Sequence, residues 1–277
     1  MPELPEVETV RRGLAPVMEQ QRIVSVQLNR PDLRIPLPEH MAETLEGSRI
    51  RTIGRRAKYL LFHLDNGQVL LAHLGMSGRM LLMPKADYSA HKHDHVLWDL
   101  ENGIRFVFQD PRRFGLMTLC DEAALDAHTL LAHLGPEPLG NHFNADYLRE
   151  RLASKKVAIK PALMDQQIVV GVGNIYASEA LFLAGVHPSR PANKVKKELD
   201  ALVEAIQKVL QSAIDSGGST LRDYVRSSGE MGYFQHCFAV YGRQGEPCQR
   251  CGNPIEKYTQ IGRSTFFCGV CQPKKAR

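Results

Sequence analysis

The start of the chain carries residues that could do chemistry. If Met1 is removed, Pro2 presents a secondary amine beside the carboxylate of Glu3. An α-amino group has a reference pKa of about 7.8, against about 10.4 for lysine, so much of it is neutral near pH 7.5. A secondary amine that condenses with an aldehyde-level carbon forms a cationic iminium, which acidifies the neighbouring C–H and favours elimination. Taken alone, however, these residues favour a plain helix start with Pro5 at its first position.

Four cysteines near the other end of the chain have the spacing of a zinc site. Cys248 and Cys251 form one pair, and Cys268 and Cys271 form a second pair, with sixteen residues between the two pairs. Four thiolates close a tetrahedral site without an open position, so we expect one structural Zn²⁺. Between the pairs, residues 255–267 predict a β-hairpin, which suits a nucleic-acid groove or, equally well, a protein-binding zinc ribbon.

A glycine-containing segment precedes a predicted helix over residues 175–184. Residues 170–174 read VGVGN, which places backbone N–H groups and the Asn174 amide at a helix N-terminus, where anions bind. A tight turn between two helices explains the same glycines. The lysines at 155, 156 and 160 add positive charge nearby or form a solvated helix face.

Two loops carry side chains suited to contacts with bases. Arg112 stands two positions from Phe114, a pair in which the ring can enter a base stack while the guanidinium reads an orphaned base. Met76 fits a second wedge or a core position. The three histidines in residues 91–95 favour phosphate contact or simple solvation over a metal site.

The charge distribution favours an anionic polymer as the partner. The chain has 277 residues, 43% of them hydrophobic, and a formal net charge of +5. Residues 243–277 hold seven Lys and Arg against two Glu, which accounts for the whole surplus. A site of four zinc-bound thiolates adds a formal charge of about −2 and leaves this segment cationic, which favours phosphate.

The length predicts two domains, with one sizeable core and a smaller second one. No apolar stretch approaches the ~18 residues that a membrane span needs. The acidic, proline-containing start lacks the basic and apolar regions of a signal peptide. We therefore expect a cytoplasmic protein.

The residues above must be positioned by strands in the first half of the chain and by helices in the second. Asn66-Gly67 and Asn102-Gly103 each predict a hairpin, because both residues of such a pair can take positive φ. With the apolar runs, they predict an antiparallel sandwich or barrel. Beyond about residue 130 the period becomes helical, and residues 194–214 predict an amphipathic helix that ends before Gly217. The apolar runs are residues 23–26, 59–62, 68–71, 79–82, 95–98 and 104–107.

Together these segments closely resemble bacterial formamidopyrimidine-DNA glycosylases, the 8-oxoguanine glycosylases and lyases of base-excision repair. The resemblance implies an α+β multidomain protein, with an N-terminal antiparallel β-sandwich with flanking helices and a C-terminal helix-two-turn-helix domain with a four-cysteine zinc finger. It runs from end to end and rests on several motifs in the same order. These motifs are residues 2–9, 56–59, 73–78, 92–95, 110–115 and 170–177, followed by the terminal cysteines.

The resemblance implies a catalytic role for four residues. Pro2 attacks C1′ of the damaged nucleotide, displaces the base and forms the iminium. Glu3 protonates the sugar ring oxygen and shuttles protons, Lys58 assists β-elimination, and Arg263 assists δ-elimination. The product is a one-nucleotide gap with phosphates at both ends. Glu6 supports the helix and the terminus.

The resemblance also implies which residues contact DNA. The partner is double-stranded DNA that contains an oxidised base or an abasic site, and the family flips the damaged nucleotide out of the duplex. Met76, Arg112 and Phe114 match the residues that fill the resulting hole, with Arg112 facing the orphan cytosine. Positions near phosphates match Lys58, His93, Lys156, Asn174, Tyr241 and Arg263.

The resemblance also implies that the chain is divided into four segments. Residues 1–133 are expected to form the catalytic domain, 134–150 a linker, 151–237 the helical domain and 238–277 the zinc finger. A lesion-recognition loop is expected at about 219–234. A monomer is expected, because two domains that clamp one duplex need no second copy.

Two alternatives compete with this interpretation. An endonuclease VIII-like enzyme has the same fold and amine chemistry but acts on oxidised pyrimidines; Leu4, Arg112 and Phe114 argue against that branch. A non-catalytic zinc-finger protein that binds DNA is the alternative from another class. The terminus separates the two classes, because a binding protein tolerates a retained Met1 whereas an amine nucleophile is blocked by it.

Overall fold

The computed structural model describes residues 2–218 and 238–274. The chain forms two compact units, one of Met1–Ala132 with Gly217–Tyr233 and one of His133–Ser216 with Phe234–Arg277. The expected lesion-recognition loop at 219–234 lies outside the described residues. In the described part of the chain, no helix combines the length and the apolar character needed to cross a membrane.

The first unit is built from two antiparallel sheets and flanking helices. Its helices are α1 (Leu4–Met18) and α2 (Met41–Leu45). Its strands are β1 (Ile23–Leu28), β2 (Ile50–Arg56), β3 (Tyr59–Leu64), β4 (Gln68–His73), β5 (Arg79–Pro84), β6 (Asp94–Leu100), β7 (Ile104–Gln109) and β8 (Leu116–Asp121). One sheet has the order β1-β6-β7-β5 and the other the order β2-β3-β4-β8.

The two sheets pack face to face around one aromatic core. Trp98 of β6 stacks on Phe106 of β7 with ring centroids 4.3 Å apart, and Phe62 of β3 meets Trp98 edge-on at 5.4 Å. The apolar stripe of α1, which includes Val7 and Leu14, joins the same buried cluster. The predicted β-sandwich with flanking helices is therefore confirmed.

Both predicted hairpins form, but not with the predicted backbone. β3 pairs with β4 across Asn66-Gly67, and β6 pairs with β7 across Asn102-Gly103. Gly67 and Gly103 have φ of 80° and 81°, whereas neither asparagine has positive φ. The Asn66 and Asn102 side chains accept N–H groups two residues on, so their contribution is a side-chain turn.

Two strands of the second sheet were missed by the sequence pattern. Ile50 and Ile53 of β2 are both buried although they are three positions apart, which breaks the alternation expected of a strand. A register shift between Ile50 and Thr52 in the pairing with β3 explains this spacing. β8 adds to the edge of the sheet next to β4.

The second unit contains helices and one hairpin. Its helices are α3 (Ala145–Leu152), α4 (Ile159–Leu163), α5 (Asn174–Leu183) and α6 (Leu199–Asp215), and its hairpin consists of β9 (Glu256–Gln260) and β10 (Arg263–Phe267). Helix α3 starts inside the stretch 134–150 that was expected to be a linker, with the Asn144 side chain accepting the Tyr147 N–H at 2.9 Å as its cap.

The predicted helix over residues 194–214 starts five residues too early. A short 3₁₀ turn ends at Lys194, Val195 is extended with φ −87° and ψ 102°, and α6 begins only at Leu199. Val195 is nevertheless buried. Its apolar side chain therefore fits the helical period without belonging to the helix.

Two loops of the sandwich meet at the level of their backbones. Gly75, after β4, has φ of 62°, and a Cβ at this position would lie 2.3 Å from the carbonyl carbon of Phe114, in the loop after β7. Gly103 also has positive φ, but a Cβ there would meet nothing within 4 Å. Substituting alanine at Gly75 and at Gly103 therefore distinguishes the cost of the backbone conformation, which both positions share, from the cost of close packing, which only Gly75 has.

We expect Gly75→Ala to destabilise the first unit more than Gly103→Ala. The left-handed conformation costs alanine about 1 kcal/mol at either position, and displacing the Phe114 backbone adds about 2 kcal/mol at Gly75. Urea unfolding followed by the fluorescence of Trp98, the single tryptophan and a core residue of this unit, measures both. Equal losses in the two variants would contradict close packing of the loops.

Candidate functional site

The amino-terminal segment is held by reciprocal hydrogen bonds at the start of α1. Glu3 occupies the N-cap position, its side chain accepts the backbone N–H of Glu6, and the Glu6 carboxylate accepts the Glu3 N–H at 2.9 Å. Pro2 and Glu3 are both buried. Glu6 therefore supports the terminus, as expected, and the residues around Pro2 have a fixed conformation.

A buried carboxylate on the next turn of α1 ties this helix to β2. Glu8 accepts from Arg11 at 2.8 Å, from Arg12 at 3.0 Å and from Arg55 of β2 at 3.1 Å. Burial raises the pKa of Glu8, but hydrogen bonds from Arg11 and Arg12 and the charge of Arg55 outweigh this effect and hold the pKa below its ordinary value. The start of the chain is thereby fixed relative to the turn that carries Lys58.

Lys58 lies in a strained turn between β2 and β3. Ala57 has φ of 54°, which non-glycine residues adopt rarely, and Lys58 is 7% exposed. Burial, together with the charge of Lys58, lowers the pKa of His73 to about 4. The Nδ1 atom of His73 accepts the Gly75 N–H at 2.9 Å, in keeping with a neutral ring. At pH 7 His73 therefore adds no positive charge beside Lys58.

The three candidate wedge residues are exposed on neighbouring loops of the first unit. Met76 is 36% exposed and Phe114 43%, which excludes a core role for Met76. The Arg112 guanidinium lies 5.0 Å from the centroid of the Phe114 ring. The structure thus brings together the three residues that were matched to the hole-filling positions.

His93 lies in a short loop before β6 that is organised by Asp94. The Asp94 carboxylate, 4% exposed as a residue, accepts the His91 N–H and the Gln109 amide, both at 2.9 Å. Partial burial and the positive charge of Lys92 lower the pKa of His93. A neutral imidazole can still donate one N–H to a phosphate oxygen.

A buried lysine organises the N-terminus of α5 in the second unit. Lys160 is 1% exposed and donates to Asn174 Oδ1 at 2.6 Å and to Thr265 Oγ1 at 2.8 Å. The Asn174 amide in turn donates to the Ser264 carbonyl at 3.0 Å and to the Tyr241 hydroxyl at 3.4 Å. Of the two interpretations of the lysines at 155, 156 and 160, the solvated helix face is therefore wrong for Lys160.

Glu179 of α5 holds the segment that leads into the cysteine-rich region. Its carboxylate accepts the backbone N–H groups of Ala239, Val240 and Tyr241 at 2.7–3.0 Å. Burial raises the pKa of Glu179 despite these three donors. Tyr241 is thereby fixed through its own backbone, and its ring packs against Phe266 with centroids 5.0 Å apart.

The four cysteines form one compact cluster. Their sulfur atoms all lie within 4.8 Å of one another, with Cys248 3.9 Å from Cys271 and Cys251 3.5 Å from Cys268. Zinc–sulfur bonds of about 2.3 Å in a tetrahedron place sulfur atoms about 3.8 Å apart. The donor set and its spacing therefore fit one structural Zn²⁺.

The hairpin between the cysteine pairs presents Arg263 at its tip. Gln260 pairs with Arg263, and the two turn residues, Ile261 and Gly262, have φ of 47° and 70°. Arg263 is exposed. Lys156, on the segment before α4, is also exposed, so both cations are accessible to an anionic partner.

The residues predicted from the sequence fall into two groups, one in each unit. The positioning roles of Glu8, Lys160 and Glu179 were missed, because each acts through at least one partner far away in the sequence. Their burial is the feature that distinguishes them from solvated charges. The first unit carries Pro2, Glu3, Lys58, Met76, His93, Arg112 and Phe114, and the second carries Lys156, Asn174, Tyr241, Arg263 and the four cysteines.

Three family models match the chain in succession. The formamidopyrimidine-DNA glycosylase N-terminal domain matches residues 1–117, and the H2TH domain of the same glycosylase matches residues 134–225. The zinc finger found in FPG and IleRS matches residues 245–274.

Two solved structures are similar to the chain over nearly its whole length. One is Lactococcus lactis Fpg in complex with DNA containing N7-benzyl-Fapy-dG, which is 37% identical with a TM-score of 0.91 and covers 99% of this chain and 100% of that one. The other is Fpg from Thermus thermophilus, which is 40% identical with a TM-score of 0.88 over 99% of this chain and 100% of that one.

Full-length relatives show higher identity. The formamidopyrimidine-DNA glycosylase of Ruegeria pomeroyi is 53% identical over 282 aligned residues, which cover 98% of this chain and 100% of the relative. The enzyme of the same name from Azorhizobium caulinodans is 51% identical, again over 98% of this chain and 100% of the relative. These matches, together with the three family models, show that the chain belongs to the formamidopyrimidine-DNA glycosylase family.

Proposed function

We propose that this protein is a base-excision-repair glycosylase that removes oxidised purines from double-stranded DNA and then cleaves the strand at the abasic site. The observation that carries this proposal is the 53% identity to a formamidopyrimidine-DNA glycosylase over 98% of the chain. Structures similar to this chain contain DNA with Fapy-dG or an abasic site, which supports both substrates.

The reaction begins at the amino terminus. Once Met1 is removed, the Pro2 amine attacks C1′, the base leaves, and the iminium joins the enzyme to the opened sugar. Glu3 transfers protons at the sugar, Lys58 assists β-elimination, and Arg263 assists δ-elimination. Two observations support this assignment for the first unit: Pro2 is buried next to the capping box of α1, and Lys58 lies beside a neutral His73.

The DNA is held by two sets of contacts. Met76, Arg112 and Phe114 fill the space left by the everted nucleotide, and their exposure supports this role. The second set contacts phosphates, which fixes register and adds salt dependence without reading sequence. It consists of His93, Lys156, Asn174, Tyr241 and Arg263.

Zinc has a structural part in this function. Cys248, Cys251, Cys268 and Cys271 hold one Zn²⁺, which closes both ends of the hairpin that presents Arg263. The four-part division at residues 133, 150 and 237 assigns the amine chemistry and the His93 contact to the first segment, and the other phosphate contacts to the helical domain and the zinc finger. We place the enzyme in the cytoplasm, associated with the nucleoid when it is on DNA, as a monomer.

The two alternatives predict different substrates and products. An endonuclease VIII-like enzyme prefers oxidised pyrimidines, and one similar structure is Lactococcus lactis Fpg with DNA that contains an oxidised pyrimidine. The match to formamidopyrimidine-DNA glycosylases along the whole chain favours purines. A non-catalytic DNA-binding protein forms no covalent intermediate.

We expect borohydride to trap the protein on a duplex that carries 8-oxoguanine opposite cytosine, with the cross-link at Pro2. The iminium is reduced to a stable amine, and mass spectrometry locates it. Pro5→Ala should still be trapped, because Pro5 lies inside α1, whereas a form that retains Met1 should not. Binding without an adduct, from protein shown to lack Met1, would favour the non-catalytic alternative, and faster excision of thymine glycol would favour the endonuclease VIII-like one.

We expect Lys58→Met to slow nicking of an abasic duplex by about a hundredfold, the usual contribution of one general acid or base. Methionine keeps the length of the side chain but cannot transfer a proton. Lys85→Met is the matched control, because Lys85 is 60% exposed and pairs with Asp99 on another part of the sandwich. If folded Lys58→Met protein nicks the abasic duplex at the wild-type rate, Lys58 does not take part in the mechanism.

We expect loss of zinc to abolish DNA binding while the first unit stays folded. The metal contributes folding free energy to the segment that it closes, so Cys248→Ser should release it. Cys120→Ser is the control, since Cys120 lies on β8, outside the cluster. Fluorescence anisotropy with labelled abasic DNA measures affinity, and Trp98 fluorescence reports the first unit; unchanged affinity after confirmed loss of zinc would contradict the prediction.

A further inference from the structure

We propose that Asp110 is a positioning residue that joins the Met76 loop and the Arg112–Phe114 loop into one rigid wedge, so that the three side chains enter the duplex together. Asp110 itself touches neither DNA nor the reacting atoms. The proposal rests on the proposed function, because it concerns how the DNA lesion is everted.

The Asp110 carboxylate connects the two loops directly. It is fully buried, at 0% exposure. Its Oδ1 atom accepts the Ser77 hydroxyl at 2.6 Å and the Arg112 N–H at 3.3 Å, and its Oδ2 atom accepts the Gly115 N–H at 2.7 Å. Ser77 follows Met76 in the chain, whereas Arg112 and Gly115 bracket Phe114. One carboxylate therefore restrains the backbone beside all three wedge side chains.

The backbone of Asp110 adds a third segment to the same unit. Its N–H donates to the His93 carbonyl at 3.0 Å, and its carbonyl accepts the His95 Nε2–H at 2.8 Å. It also accepts the Arg113 N–H at 3.3 Å. A proposed phosphate contact, His93, is thus tied to the residue that positions the wedge.

Close packing leaves the loops little freedom to move apart. A Cβ at Gly115 would lie 2.5 Å from Phe108 Cζ, and Gly75 already meets the Phe114 backbone. Arg113 has φ of 58°, a conformation that persists in an arginine only where the surroundings fix it. Ser77 also accepts the Arg112 N–H at 3.2 Å, so the serine hydroxyl bridges the loops from both sides.

This arrangement suits the energetics of base eversion. Unstacking and unpairing a nucleotide costs a few kcal/mol, and the inserted side chains must recover this cost as they enter. Side chains on independently mobile loops would each have to be ordered at that moment. A wedge that is ordered beforehand by Asp110 avoids this loss, and Arg112 is held over Phe114 before it meets the orphan base.

A matched pair elsewhere in the same sandwich provides the control. Ser25 of β1 donates its hydroxyl to the Asp99 carboxylate at 2.9 Å, much as Ser77 donates to Asp110. Asp99 is 7% exposed and also forms ion pairs with Arg105 on β7 and with Lys85, which directly follows β5. Among the described residues, neither Ser25 nor Asp99 is hydrogen-bonded to Met76, Arg112 or Phe114.

The test compares Asp110→Asn and Ser77→Ala with Asp99→Asn and Ser25→Ala. Excision of 8-oxoguanine from a duplex is measured beside nicking of a single-stranded abasic oligonucleotide, which needs no eversion. Stopped-flow fluorescence of 2-aminopurine next to the lesion follows insertion. We expect Asp110→Asn to slow insertion and duplex excision by about tenfold, because one buried N–H or O–H loses its acceptor. Nicking of the single strand should change less than twofold.

Three further results bear on the proposal. The double variant Ser77→Ala with Asp110→Asn should lose less than the product of the two single losses, because both single variants disturb the same Ser77–Asp110 hydrogen bond. Ser77→Thr, which keeps a hydroxyl, should restore most of the rate lost in Ser77→Ala. Equal loss on duplex and single strand, or equal loss in the Asp99 and Ser25 variants, would overturn it. If Asp110→Asn does not fold, the effect of Ser77→Ala on duplex excision is compared with the effects of Ser25→Ala and Ser77→Thr. A selective loss in Ser77→Ala supports the proposal, and equal losses overturn it. Failure of the wild-type protein to excise 8-oxoguanine would instead contradict the proposed function.

Discussion

The fixed position of the chain's first residues is the constraint on which the proposed chemistry depends. A terminal amine has no fold of its own to hold it, because chain ends fray unless tertiary contacts tie them down. Here the capping box of Glu3 and Glu6 fixes the first turn of α1, and Glu8 joins that helix to Arg55 of β2. β2 leads directly into the turn that contains Lys58. The Glu8–Arg55 ion pair therefore also fixes the position of the Pro2 amine relative to Lys58, which we propose assists elimination. Removing Glu8 would take the carboxylate partner from Arg55, whose side chain is largely buried, and from Arg11 and Arg12 as well.

The second unit uses buried polar groups in a comparable way. Lys160 and Glu179 lie on or beside helices, yet their partners are in the segment that leads into and through the cysteine region. Each therefore links helix packing to the position of a proposed DNA contact, Asn174 for Lys160 and Tyr241 for Glu179. A surface lysine or glutamate could not do this, because solvent screening and side-chain entropy remove most of the attraction.

Local patterns in the sequence predicted much of the fold and the chemical residues, because the cysteine spacing, the Asn-Gly turns and the helical period all act within a few residues. The groups that position these residues depend on distant partners: Lys160 and Thr265 are 105 positions apart. The errors at element boundaries have a related cause. Val195 is buried at a position that fits the helical period, although its backbone is extended. Strand β2 was missed because the register shift near Ile50 breaks the alternation of buried residues. The period of apolar residues shows which side chains are buried, but it does not determine the backbone conformation that buries them.

The zinc-finger hairpin carries strain that its own sequence does not offset. Ile261 has a β-branched side chain, is 74% exposed, and has φ of 47°, so it gains little from burial in a conformation that is unfavourable for its type. Two short strands with such a turn are marginal in isolation. The cysteine pairs lie on either side of the hairpin, at 248 and 251 before β9 and at 268 and 271 after β10. Metal binding therefore adds to the packing of Phe266 in stabilising the hairpin, and with it the position of Arg263 directly after the strained pair.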